Sequence, residues 1–306
     1  MDDEARKRLI RSRLKQQNGG KKEIAVRYQS KYPDSAQREY IRLVDQYMAV
    51  EKQVILRYMP ELKKILWEDQ QYNTDASGND KKRKTRRFAI LEGILSQLKE
   101  LFERMLKEME STFGLFGLKK MLESVAALNL KLTVREWKKT VNRTLGLNLL
   151  DDYYSGSFYQ DMLETWVSDN VDLIRTIPHE SLRKMKEIVY QAYMDGKPTT
   201  YIVKEIQRQY GRDKRHARLI ARDQVAKLNA AITQRQQTDA GIRRYRWSDS
   251  RDERVRDSHK KLNGRIFRWD DPPETDAGRR CHPGQDYQCR CCALAIFDLD
   301  NIDLPV

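Results

Sequence analysis

The sequence predicts a mostly α-helical protein with a small α+β C-terminal domain: a helical N-terminal half and a short antiparallel β element after residue 241. Three observations predict it. Apolar residues recur every three, four or seven positions from Ser35 to Ala240, the repeat of an amphipathic helix. After Gly241 the period changes to two, with Tyr245 and Trp247 alternating against Arg244 and Arg246. The segments beyond are short and joined by loops rich in Pro, Gly and Asp.

The elements follow in order. Residues 1–31 are polar and basic, broken by Gly19-Gly20, and read as a partly disordered tail. Ser35 can cap a long helix reaching Trp67, with Ile41, Val44, Met48, Ile55, Met59, Leu62 and Ile65 on one face. A basic loop over 76–87 follows, then a helix over 87–109 with Leu91, Ile94, Leu98, Leu101, Met105 and Met109 aligned. The two stripes can pair as a hairpin or offer a docking face, and the pattern is the same for both. Residues 32–150 are thus one helical region.

Residues 151–306 read as a second domain, with helices over 157–240 and a β-rich cluster over 241–297. Helices are expected at 118–128 and from Thr133, whose spacing to Glu136 matches a capping box, to Gly146. Further helices are expected at 157–176 before Pro178, at 179–195 before Gly196, at 199–210 before Gly211 and at 213–240 before Gly241. Strands are expected at 242–247, 265–269 and 292–297, with Asn263-Gly264 as a turn signal.

Charge is uneven. The net charge is +14, and residues 1–150 hold 32 Lys and Arg against 20 Asp and Glu, leaving only +2 for the rest. The excess peaks at Lys81, Lys82, Arg83, Lys84, Arg86 and Arg87, a run suited to sequence-independent contact with nucleic-acid phosphates or with an acidic protein surface. A solvated loop is the plain alternative. No aromatic residue interleaves the run, so base stacking has no support. No stretch of 18 apolar residues is present, so no membrane partner is expected, and the polar N-terminus lacks the apolar core of a signal peptide. A reducing cytoplasm is the expected compartment of synthesis.

All four cysteines lie in the 241–292 region, together with His259 and His282. In a reducing compartment such bunching favours a metal over disulfides. Cys289 and Cys291 project to one side of an extended segment. A site of His282, Cys289 and Cys291, with His259, Cys281 or Cys292 as fourth ligand, suits zinc. The alternative is a metal-free cluster of hydrogen-bonded histidines. Asp252, Arg254 and Arg256 read as a fixed ion-pair network, which Arg222 and Asp223 in the preceding helix can join. Trp247 reads as core and Gly264 as a turn residue.

No phosphate-binding loop, dinucleotide fingerprint or Ser-His-Asp order appears. The best enzyme alternative is a metal-dependent nuclease or DNA-processing enzyme, because His259, Asn263 and His282 follow the His/Asn/His order of small metal nucleases. The ββα unit of those enzymes is not supplied, since no helix is expected after His282. A free-standing DNA-binding protein is a further alternative. No catalytic residue is assigned.

The ordered set Ile220-Ala-Arg222-Asp223, Asn229, Ala240-Gly241-Ile242, Trp247, Asp252-x-Arg254-Val-Arg256-x-x-His259, Leu262-x-Gly264, His282-Pro283 and Cys289-Arg-Cys291 resembles the head-morphogenesis domain of tailed-phage minor head proteins, the Mu F-like family. The resemblance covers about 155–297. The family often has Arg-Thr-Glu where this chain has Arg222-Asp223-Gln224, and a shorter interval between its His-Pro and Cys-Arg-Cys. Some relatives carry a further C-terminal toxin domain, and none is expected here, nine residues past Phe297. The resemblance implies a non-catalytic virion component at the head interior or portal vertex, assembled in the host cytoplasm. Its implied partners are the portal protein, a capsid or scaffolding protein, and DNA during packaging or delivery. Arg222, Asp223, Trp247, Asp252, Arg254, Arg256, His259 and Gly264 then form a structural cluster.

Overall fold

A computed structural model describes residues 3–74, 81–150 and 152–306, with the side chains of 3, 68–74, 81–88, 152, 155 and 277 outside the described set. Seven α-helices and four strands are found among the described residues: α1 (Asp3–Gln17), β1 (Glu23–Ala25), α2 (Asp34–Thr74), α3 (Lys81–Gly114), α4 (Leu118–Leu145), α5 (Ser157–Met194), α6 (Thr199–Asp239), β2 (Arg244–Ser248), α7 (Asp257–Leu262), β3 (Ile266–Arg268) and β4 (Cys292–Asp298). The mostly helical class with a small antiparallel sheet is therefore correct. The expected division at 150 is not found. One compact unit comprises Met1–Tyr40, Leu122–Ser168 and Ile220–Val306, and the other comprises Ile41–Met121 and Asp169–Leu219.

In the second unit the amphipathic stripes of α2 and α3 pair as a hairpin. Ile55, Met59 and Leu62 pack with Leu98, Leu101 and Met105, and with Leu182, Met185 and Val189 of α5 and Ile202 and Ile206 of α6. This burial decides between hairpin and docking face, because the stripes are covered from within the unit. Arg57 with Glu108 and Arg104 with Glu61 link the outer edges of the hairpin. The loop expected over 76–87 is corrected in part: α3 already begins at Lys81, while 76–80 and the side chains of Lys81, Lys82, Arg83, Lys84, Arg86 and Arg87 lie outside the described residues.

Several expected breaks are corrected. Pro178 lies inside α5 and Gly211 inside α6. Proline deprives one carbonyl of its partner and glycine costs about 1 kcal/mol, but buried Ile174, Ile177, Ala217 and Ala221 continue the packed faces on either side. The capping-box reading at Thr133 also fails, because Thr133 sits within α4. Its hydroxyl lies 2.9 Å from both the Asn129 carbonyl and Asn229 Oδ1 of α6. Gly146, Gly196 and Gly241 do terminate helices, each at positive φ.

The sheet of the first unit has the order β1-β4-β2-β3, all pairs antiparallel. The three expected strands are present. The fourth, β1, corrects the expectation of a disordered tail. Val26 N–H donates to Ala295 O (2.9 Å) and Leu299 N–H to Lys22 O (2.8 Å), so residues 22–26 complete an edge. Helix α1 docks through buried Leu14 and through Arg11, whose Nε donates to Ile302 O at 3.0 Å. Backbone pairing of this kind leaves no hydropathy signal, which is why a three-residue strand in a polar, basic segment reads as tail.

On one sheet face, large residues oppose small ones: Tyr245 faces Ala295 and Trp247 faces Ala293. Tyr245 and Trp247 are fully buried, as their alternation predicts, and join Trp269, Leu262, Cys289 and Cys291 in one cluster. This apolar floor positions the site.

Candidate functional site

The site is assembled from α6, α7 and the loop that returns to β4. After β2, the chain turns at 249–256 and forms α7, which presents His259 inward at 2% exposure. Asn263-Gly264 then turns the chain: Gly264 N–H donates to Trp247 O at 2.8 Å, and Asn263 Oδ1 accepts from Asp249 N at 3.0 Å. The loop 281–291 brings Cys289 and Cys291 against His259.

His259 Nδ1 lies 3.4 Å from Cys289 Sγ and 3.6 Å from Cys291 Sγ. The three donor atoms all lie within 4.8 Å of one another, and all three residues are buried. Two backbone amides, of Gly284 and Cys291, approach Cys289 Sγ at 3.4 Å. The indole N–H of Trp247 completes no hydrogen bond of good geometry, yet lies close enough to Cys291 to favour its ionised form.

On the far side of the ring, His259 Nε2 is 3.3 Å from Asp286 Oδ2. Asp286 is itself buried, accepts from Tyr287 N (2.8 Å) and Arg256 Nη1 (3.1 Å), and forms an ion pair with Arg279 Nη2 (3.0 Å). Burial opposes ionisation of Asp286, but these donors hold it below the usual carboxylate range. An ionised carboxylate only accepts, so Nε2 carries the proton and Nδ1 turns its lone pair toward the sulfurs.

The thiols are tightly coupled. A hydrogen bond from Cys291, followed in weight by His259, lowers Cys289 to about 5, while the Cys289 charge and burial push Cys291 up. His259 is raised, chiefly by its contact with Cys289. One negative charge is thus shared across the Cys pair, beside the His259 ring.

The expected ligand set is corrected here. His282 does not join the cysteines: its Nδ1 is 2.8 Å from the Tyr245 hydroxyl, and it also hydrogen-bonds the Trp269 backbone. Burial lowers its pKa and so favours the neutral ring. Cys281 lies against Thr275 Oγ1 at 3.2 Å, and Cys292 against the Arg290 carbonyl, so neither completes the group. All four cysteines are free thiols.

The Asp252, Arg254, Arg256 network is also rewired. Asp252 pairs with Arg290, and its Oδ1 accepts the Arg254 backbone N–H at 3.0 Å. Arg256 pairs with Asp286 and Asp276. Asp223 takes Lys227 Nζ and the Gln288 N–H, each at 2.7 Å. Gln288 has φ of +54°, a left-handed conformation that costs a non-glycine residue about 1 kcal/mol or more. Asp223 therefore restrains the bend that delivers Cys289. Sequence reasoning missed this role and missed Asp286, because an acid in a polar loop carries no distinguishing pattern.

The cluster opens onto a cleft of about 300 Å³, lined by Arg222, Arg254, Arg256 and Arg290 among others, with His259, Cys289 and Cys291 also on its wall. His259, Asn263 and His282 have separate partners and do not converge, so the nuclease-like order has no matching geometry among the described residues.

The family model described as Phage Mu protein F like protein matches residues 183–294, a segment holding every donor of the cluster. The Mu F-like resemblance read from the sequence therefore holds over that segment. An uncharacterised protein of Haemophilus influenzae is 40% identical over 130 residues, covering 42% of this chain and 28% of that protein. No solved structure matches. Among the described residues, no helix is long and apolar enough to cross a membrane.

Proposed function

We propose that the protein is a structural minor head protein of a tailed phage, acting by binding in head morphogenesis. The single observation that carries this is the Mu F-like match over 183–294, a segment that contains His259, Asp286, Cys289 and Cys291. The finer reading is association with the portal and a part in procapsid assembly and DNA packaging or delivery. It draws support from the +14 charge, concentrated in residues 1–150, which suits an acidic portal surface or packaged DNA. In this reading the buried cluster around His259 is a staple: it ties α7, α6 and the 281–291 loop together, and no group in it needs to act on a substrate.

The test is co-expression with the portal protein of the same phage, followed by portal pull-down at low and at high salt. Retention on portal rings at both salts is the expected result. Absence of portal binding, with nucleic acid retained at low salt alone, would replace the proposal with a free-standing DNA-binding protein.

A further inference from the structure

We infer that His259, Cys289 and Cys291 hold one zinc ion through Nδ1 and two sulfurs, with the fourth position open to the arginine-lined cleft. A tetrahedral zinc with Zn–N near 2.0–2.1 Å and Zn–S near 2.3 Å requires N···S separations of about 3.5 Å. The protein holds these at 3.4 and 3.6 Å.

The surroundings match those of a metal ligand. Zinc-bound histidines characteristically give their other N–H to a carboxylate, which fixes the tautomer and raises ligand basicity. Asp286 occupies that place behind His259. Amides of Gly284 and Cys291 point at Cys289 Sγ and offset part of the thiolate charge. Gly284 makes the tight loop possible: its φ is +83°, and a Cβ there would come within 2.9 Å of the Ala230 side chain.

The ligand count decides the class of site. Structural zinc sites are closed by four protein donors, whereas sites with three keep a place for water or an exogenous ligand. The remaining cysteines and His282 are engaged elsewhere, and the cleft reaches the same three residues. Arg256 and Arg290 on its wall already pair with acids, but Arg222 and Arg254 beside them leave the wall net positive and favour an anionic oxygen ligand, such as a carboxylate or a phosphate, over a neutral one. This inference is independent of the portal reading, since metal content is measured without any partner.

The experiment uses the full chain, stripped with a chelator and reloaded. One zinc per folded chain is expected, with X-ray absorption giving two sulfur and two lighter neighbours. No retained zinc, or three or four sulfur neighbours, overturns the assignment. Cys291→Ser should lose the ion and Asp286→Asn should bind it about 10–100-fold more weakly. His282→Gln should keep one zinc if it folds, and the wild-type absorption spectrum decides the ligand set if it does not. In the cobalt-substituted protein, azide or inorganic phosphate should shift the visible spectrum. A spectrum unmoved by either ion would show the fourth position closed and refute that half of the inference.

Discussion

Glu51 offers the sharpest test of how burial sets energetics in the second unit. It lies on α2 with no exposed surface, facing Ser181 of α5 and Asp213 of α6. Neither carboxyl oxygen nor the Ser181 hydroxyl completes a hydrogen bond of good geometry, although Ser181 is near enough to ease ionisation. Burial lifts the Glu51 carboxyl from 4.5 to about 8, and Asp213 adds to the rise. The folded chain therefore keeps a proton that the unfolded chain releases. Stability from the neutral group is complete below pH 4.5 and is lost as the pH climbs to about 8, beyond which the loss is constant. Each unit of separation is about 1.36 kcal/mol, so the ceiling is about 5 kcal/mol, and relaxation around the charge brings it to the order of 2–5. Tyr47 and Tyr210, the neighbouring phenols that feel Glu51, are both raised by burial and do not titrate in this window. Glu51→Gln keeps the volume and removes the titration. Urea unfolding followed by far-UV circular dichroism at pH 5 and pH 8.5 should show variant and wild type nearly equal at the lower pH. At the higher pH the variant should be more stable by about 2–5 kcal/mol. An equal difference at both values, or a variant weaker at pH 8.5, would refute the argument.

Two further perturbations test the first unit. Gly241→Ala should destabilise by more than about 2 kcal/mol, since it combines left-handed strain with a Cβ placed 2.4 Å from the Asn301 carbonyl oxygen. Gly146→Ala, at similar φ but with open space around it, should cost only about 1–2 kcal/mol, and equal melting temperatures would disprove the close-approach account. Removing residues 1–31 should cost more than about 3 kcal/mol through loss of buried Leu14 and Val26 and of the β1 edge. Unchanged urea unfolding of the shortened chain would return the segment to the status of a tail.

Much of this architecture is legible in the sequence, and for a definite reason. Helical periodicity and strand alternation record which side of each element is buried, so α2, α3 and the Tyr245–Trp247 strand can be read directly. The same record shows that cysteines and histidines gather after Gly241, and the ordered motif points to the Mu F-like family over the segment that the family model matches. Local signals overstate the breaks. Pro178 and Gly211 weaken a helix by an amount that packing on either side recovers, and that packing belongs to other helices.

Partner choice was decided only in three dimensions. His282 and His259 are equivalent in sequence logic, but Tyr245 takes one and the cysteine pair takes the other. Asp252 lies two residues from Arg254, yet pairs with Arg290, because the loop's return places that guanidinium opposite it. β1 finds its strand more than 260 residues away in the chain. Sequence spacing fixes which residues share a face of one element. Which faces meet depends on how loops close across the whole chain, and that is where Asp286 and Asp223 acquire the roles of orienting His259 and delivering Cys289.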